Sequence, residues 1–457
     1  MPSLTPVPIV LAGARGHGCW HLANIRRLQH QGLVRLAGVC ELKPLDDGEL
    51  HAFAGELPEQ SANFGALLDS TGARAAVICT PIQTHAELAL TAAGRGVHLL
   101  LEKPTAATRA DFERILAGVR QSGIACQVGF QSFGSHAVPA IRELVRTGAI
   151  GTVQGYGAAG AWVRDEAYYR RAPWAGRRRI GDTDVVDGVL TNPLAHAVAT
   201  ALELAGSGTA EDITGVETEL FRAHDIEADD TSCVRITTAA GIPVTAAVTL
   251  CAEQAGEPYV IVHGDRGRIT FWYKQDRVLV QRAGHGPEEA VHGRTDLLEN
   301  LVDHLVRDRA LLVPPHRTGA FMEVVEAVRT APEPRALPDD AWYTVPATAS
   351  TAPRRVVRGI DQLVAAGADT LTLFSELGAP WAARSGLGFP RGVAAPGTAA
   401  SGVVVSRDVP RSLGFARAGE APSAIPPSSA LDPTAPGAAP YPALEPRTGP
   451  TTEVSSS

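Results

Sequence analysis

The chain has 457 residues, 45% of them hydrophobic and 20% charged, and a net charge of −8. That length allows two or three sizeable cores, and the acidic balance argues against a nucleic-acid partner, because phosphate binding draws on an excess of Lys and Arg. No apolar run approaches a membrane span and no charged-then-apolar leader opens the chain, so no membrane partner is expected.

Residues 8–12 are apolar and strand-like, and 18–31 read as a helix. Further strands are expected at 33–40, 73–80, 97–103 and 125–130, with helical stretches at "FGALLDS", "THAELALTAAGRG" and "TRADFERILAGVRQSG" between them. Strands alternating with helices predict βαβ units and a parallel, doubly wound sheet, and near-continuous apolar strands predict one covered on both faces. After residue 150 a helix is expected near 191–205, followed by β-rich runs from "VETELFRA" to "RVLVQRA" joined by short turns. These predict an α+β unit with an open, mostly antiparallel sheet, an apolar face of which would serve as a homo-oligomer interface. Helices are expected near 295–309, 316–330 and 353–369, and "LTLFSELGAPW" is expected to be ordered against the body. The boundaries are 1–130, 131–383 and a Pro/Ala/Ser-rich tail, 384–457, whose composition predicts disorder.

The six cysteines form no C-x-x-C pair and mostly end or lie within apolar runs, so they read as small core residues in a reducing compartment, by default the cytoplasm. The acidic "HDIEADD" at 224–230 has no EF-hand spacing and reads as a solvated turn; no metal site is expected.

Five short motifs carry chemistry. "GARGHG" places Gly13, Gly16, His17 and Gly18 between a strand and a helix, where backbone N–H groups and the helix dipole suit a pyrophosphate; Arg15 stands where G-x-G-x-x-G has its middle glycine. Glu41, ending the second strand, suits an adenosine ribose and favours NAD over NADP, a preference that Arg15 or Lys43 would soften. "CTPIQTH" sets Thr80, Pro81 and His85 at a strand end that faces the ligand crevice. "LLLEKPTA" ends a buried strand with Glu102 and Lys103, charges that are costly unless they face a polar cleft. In "DGVLTNPLAHAVATAL", Asn192 and His196 are four apart and share a face if helical.

In this order the motifs resemble those of the Gfo/Idh/MocA oxidoreductases, over roughly residues 7–345. The resemblance implies a Rossmann domain binding NAD or NADP, a second domain for a sugar, cyclitol or related polyol, and hydride transfer. It implies Lys103 beside the nicotinamide and the reacting carbinol, His196 as acid or base, Asn192 orienting the substrate, and Gln131 near the carboxamide. Two departures stand out: Arg15 itself, expected to aim its charge at the pyrophosphate, and Asp187 before a single Gly188 where the family commonly has "GGxxxD". Arg177 and Arg178, in "YYRRAPWAGRRRIGD", are candidates to frame an anionic sugar. The alternatives are a non-catalytic dinucleotide-binding regulator of the same fold, or a lyase or glycosidase working through transient oxidation.

Overall fold

A computed structural model of the chain describes residues 5–50 and 57–383. The tail 384–457, and the expectation of its disorder, lie outside the described residues. The opening apolar run forms β1 (Val7–Ala12) and leads into α1 (Gly18–His30). The alternation continues through β2 (Val34–Cys40), α2 (Asp47–Leu50), β3 (Glu59–Ser61), α3 (Phe64–Thr71), β4 (Ala75–Ile78) and α4 (His85–Ala93). It closes with β5 (His98–Leu101), α5 (Arg109–Ser122) and β6 (Cys126–Val128). Local chemistry sets the helix ends: the Asn63 and Thr108 side chains cap α3 and α5 by accepting from Ala66 N and Asp111 N, and left-handed Gly72 and Gly123 stop them.

The six strands form one parallel sheet in the order β3-β2-β1-β4-β5-β6. The order reverses at β1, so the C-terminal ends of β1 and β4 border the crevice where doubly wound sheets hold ligands.

The second half begins with α6 (Ala137–Arg146) and β7 (Val153–Ala161), then α7 (Glu166–Arg170), a short hairpin of β8 (Arg179–Ile180) and β9 (Thr183–Asp184), and α8 (Ala195–Leu204). There follow β10 (Ile213–Arg222), β11 (Thr231–Thr238), β12 (Pro243–Thr249), β13 (Tyr259–Gly264), β14 (Gly267–Trp272), β15 (Arg277–Arg282) and β16 (Glu288–Val291). The chain ends its described part with α9 (Leu297–Arg307), α10 (Gly319–Thr330), β17 (Arg335–Ala336), β18 (Trp342–Val345), β19 (Arg354–Val357) and α11 (Ile360–Thr370). Nine strands make a mixed sheet, β16-β15-β14-β13-β7-β12-β11-β10-β17, antiparallel except at β7/β12 and β10/β17.

Three features bear on the sequence reading. The helix expected over 353–369 divides at left-handed Gly359 into β19 and α11. One face of the mixed sheet, apolar and an oligomer interface if exposed, is covered at its centre by α11 and by buried Leu373 and Phe374. A Cβ on Gly157 of β7 would lie 1.9 Å from the Ala368 carbonyl oxygen, so the helix rests on the strand's backbone. The 224–230 turn, expected to be solvated, is folded inward at His224, Asp229 and Asp230, while Asp225 and Glu227 stay exposed. Asp230 tolerates burial because its carboxylate accepts from Ala223 N at 2.9 Å, from His224 N at 2.8 Å and lies 2.9 Å from His224 Nδ1. All six cysteines are free, and Cys126, Cys233 and Cys251 are buried.

Candidate active site

The glycine loop turns where β1 meets β4. Gly13 has φ +83°, and a Cβ there would lie 2.4 Å from the Cys79 carbonyl oxygen; a Cβ on Gly18 would lie 2.1 Å from the Gly13 carbonyl oxygen. Glycine at 13 and 18 is therefore required by the turn and by the close start of α1. Glu41 reaches this loop from the end of β2: its Oε1 accepts from Ala14 N at 2.5 Å and Arg15 N at 3.1 Å. Arg15 does not extend along the loop. Its guanidinium folds over the β2 end, donating to the Lys43 and Pro44 carbonyls at 2.6 and 3.1 Å and lying 3.6 Å from Glu41 Oε2.

At the end of β4, Thr80 and Pro81 lead into α4. His85, buried, has Nε2 2.9 Å from the Thr80 carbonyl and Nδ1 2.9 Å from the Pro104 carbonyl. Both ring nitrogens face backbone carbonyls, and the single N–H of the neutral ring donates to one of them, so His85 ties the β4 and β5 loops together and shapes the crevice.

Lys103, followed by a cis peptide to Pro104, lies two residues beyond the end of β5. Its Nζ donates to the Asn192 carbonyl at 2.9 Å and to Asn192 Oδ1 at 2.8 Å. Asn192 Nδ2 donates to Asp187 Oδ1 at 2.6 Å, and Asp187 Oδ2 accepts from Gly176 N at 2.7 Å and pairs with Arg171 at 3.3 Å. Asp187 and Asn192 thus act together, the amide touching Lys103 and the carboxylate standing behind it. Burial lowers the Lys103 ammonium from its ordinary range, and the carboxylates of Glu102 and Asp187 partly oppose this.

Asn192 lies in the turn before α8, not on the helix; His196 is on its first turn. His196 Nδ1 is 3.4 Å from Ser132 Oγ, which accepts from Thr200 Oγ1 at 2.8 Å. The imidazole contacts the edge of Phe130 and lies roughly parallel to Tyr273, with ring centroids 5.5 and 6.4 Å away. Desolvation, then the Lys103 charge, pushes its pKa down to about 3, so the ring is neutral near neutral pH.

Glu102 is buried beneath the loop, 3.0 Å from His21 Nε2 and 3.5 Å from His17 Nε2. Burial raises its carboxyl, but the two imidazoles outweigh that and hold it well below the usual range. These three residues, and separately His224, Asp230 and Cys251, bring possible ligand atoms within 4.8 Å of one another.

Arg177 and Arg178 stand apart from Lys103. Arg177 pairs with Glu227 at 2.6 Å, and Arg178 donates to the carbonyls of Val328, Arg329, Ala331 and Pro332, closing the end of α10. Both line a cleft of about 1120 Å³ that includes none of Lys103, Asn192 and His196. The arginine of that stretch joined to the lysine network is Arg171.

The sequence reading had also missed Ser132, Tyr273 and Asp229. A Cβ on Gly188 would lie 1.9 Å from Asp229 Oδ1, and Asp229 Oδ2 accepts from Ser232 Oγ at 2.7 Å. Asp229 therefore backs the turn that carries Asp187 and Asn192. Burial raises its pKa to about 6. A raised carboxyl gives stability that is complete below the unfolded value of about 3.9 and is lost as pH rises through the folded value. Asp229→Asn is expected to melt above wild type at pH about 7.5, the difference shrinking toward pH about 4; parallel melting curves across this range would contradict it.

The family model for the oxidoreductase family with an NAD-binding Rossmann fold matches residues 9–130, and the Gfo/Idh/MocA C-terminal domain model matches 138–270. The chain belongs to the Gfo/Idh/MocA oxidoreductase family. Among curated relatives of this family member, the uncharacterized oxidoreductase YrbE of Bacillus subtilis is 27% identical over 142 residues, 31% of this chain and 40% of the relative; the chain thus spans about two fifths of YrbE. The dTDP-3,4-didehydro-2,6-dideoxy-alpha-D-glucose 3-reductase of Streptomyces antibioticus is 27% identical over 275 residues, 58% of this chain and 77% of the relative. The WlbA dehydrogenase from Bordetella pertussis, solved with NADH and UDP-GlcNAcA, shares the fold with a TM-score of 0.58 and 19% identity, covering 71% of this chain and 95% of that one. No helix among the described residues is long and apolar enough to cross a membrane.

Proposed function

We propose that this Gfo/Idh/MocA member is an NAD(P)-dependent oxidoreductase transferring hydride between nicotinamide and a carbinol carbon of a sugar, cyclitol or related polyol. The division is a cofactor domain, 1–130, and a substrate domain, 131–383. The observation that carries the reading is Lys103, fixed through two hydrogen bonds to Asn192 and electrostatically coupled to a neutral His196. That pairing favours an enzyme over a dinucleotide-binding regulator.

The residues fit a dinucleotide. Gln131 Nε2 and Gln83 Oε1 are buried without a hydrogen-bond partner, and buried polar atoms of this kind call for one. Gln131 would meet the carboxamide, the 13–18 loop the pyrophosphate, and Glu41 with Arg15 the adenosine end. When bound, nicotinamide takes or returns the hydride. An ammonium has three N–H donors; Asn192 engages two from Lys103, leaving the third for the substrate oxygen. Lys103 then stabilises negative charge developing on that oxygen. His196, held at Nδ1 by Ser132, takes the hydroxyl proton in oxidation and returns it in reduction.

Glu41 would repel a 2′-phosphate, so NAD is the favoured cofactor. Glu41→Ala is expected to weaken NAD(H) binding about tenfold and to narrow its advantage over NADP(H); unchanged affinities for both would remove Glu41 from the ribose site. The function itself is tested by titrating the purified protein with NADH and NADPH, then screening sugars and cyclitols for absorbance change at the nicotinamide band. Binding of neither dinucleotide overturns the reading.

A further inference from the structure

The residues around Lys103 and His196 form a circuit whose far side consists of cations on aromatic faces. From Lys103 it runs through Asn192 and Asp187 to Arg171, whose guanidinium lies 3.7 Å from the Tyr168 ring centroid and 4.6 Å from that of Trp174. Arg164 lies 5.1 Å from the same Tyr168 ring and 5.0 Å from Trp162. Lys274 Nζ stands 5.2 Å from Trp162, and its chain neighbour Tyr273 lies beside His196, which closes the circuit.

Four cations (Lys103, Arg171, Arg164 and Lys274) thus belong to the series of contacts that runs from one proposed catalytic side chain to the other. Three carboxylates answer them: Glu102 and Asp187 beside Lys103, and Glu257 at 4.0 Å from Lys274. Arg164 is the telling member. It is 9% exposed, its Nη1 donates to the Val163 carbonyl at 2.8 Å, and its Nε–H is buried without a partner. A buried guanidinium N–H left unpaired is costly unless an acceptor arrives, and guanidinium forks match carboxylate and phosphate oxygens. The flat faces of Trp162 and Tyr168 add apolar area suited to a sugar ring.

We infer that the sugar-like substrate carries an anionic group, a carboxylate or a phosphate, held by Arg164 and Arg171 while its carbinol faces Lys103 and His196. This rests on the proposed function above and names the substrate class of that site. It differs from the sequence expectation in the residues: Arg177 and Arg178 serve the separate cleft and the end of α10.

The test reads binding without turnover, by tryptophan fluorescence, since Trp162 and Trp174 belong to the circuit. NADH-saturated protein is titrated with glucose and galactose, with glucuronate and galacturonate as the carboxylate arm, and with glucose 6-phosphate as the phosphate arm. At least one anionic member is expected to bind about thirtyfold tighter than its neutral parent, as a charge-assisted contact supplies; the tighter arm identifies the group. Arg171→Gln and Arg164→Lys, the latter keeping the charge but losing Nε–H, are each expected to reduce that preference to about threefold or less with NADH affinity unchanged. Neutral parents binding as well as their anions, binding by no anion, or a preference surviving both substitutions would each overturn the inference. The ligand series is repeated without NADH and NADH is titrated on its own, so a failure of dinucleotide binding overturns the oxidoreductase reading while the NADH-free series still decides this one.

Discussion

Lys103→Ala is expected to lower kcat about a thousandfold while NADH affinity changes less than about threefold. Among the described residues the side chain is the cation held directly on Asn192, with two of its donors holding it still. Alanine removes both the charge that would meet the developing alkoxide and the charge that adds to desolvation in lowering the His196 pKa. Arginine is no substitute, because its planar fork does not reproduce the ammonium's geometry against the Asn192 carbonyl and Oδ1. Stopped-flow hydride transfer with a primary deuterium isotope effect checks the assignment. A kcat within tenfold of wild type would remove Lys103 from the chemistry.

Gly188→Ala is expected to destabilise the fold by about 1–3 kcal/mol, the usual range for overpacking a tight site, and to reduce turnover further than the stability loss explains. The added Cβ would sit 1.9 Å from Asp229 Oδ1, and Asp229 has little freedom to retreat because Ser232 holds its other oxygen. The backbone must give instead, and it is this turn that carries Asp187 and Asn192 to Lys103. Circular-dichroism melting alongside kcat at a temperature where both proteins are folded separates the two effects. A variant with wild-type melting and kcat would show that the turn accommodates the methyl group.

Much of this arrangement was legible because its signals are local. β1, β2, β4, β5 and β6 are apolar runs behind turn residues, and Glu41, Lys103, Asn192 and His196 stand in short motifs at strand ends and turns. What escaped depends on partners distant in sequence. β3 is three polar residues that become a strand only by pairing with the end of β2. β7, with the sequence VQGYGAAGA, has few branched residues to announce it; its glycines serve Leu194 on one face and Ala368 on the other. Asp229 and Asp230 look like solvent-facing letters because the backbone and hydroxyl donors that satisfy them appear only once the chain has folded. Arg15 sits in the loop as expected, but its direction is set by the Lys43 and Pro44 carbonyls, which no motif records.

The placement of α11 has a thermodynamic consequence. It covers β7 and β12 from within the same chain, with His263 Nε2 3.0 Å from the Ala368 carbonyl. A cover tied to its sheet by covalent chain has an effective concentration that dilution cannot change, unlike one lent by a second molecule. Dilution from micromolar to nanomolar therefore leaves the stabilisation that this cover gives β7 and β12 unchanged.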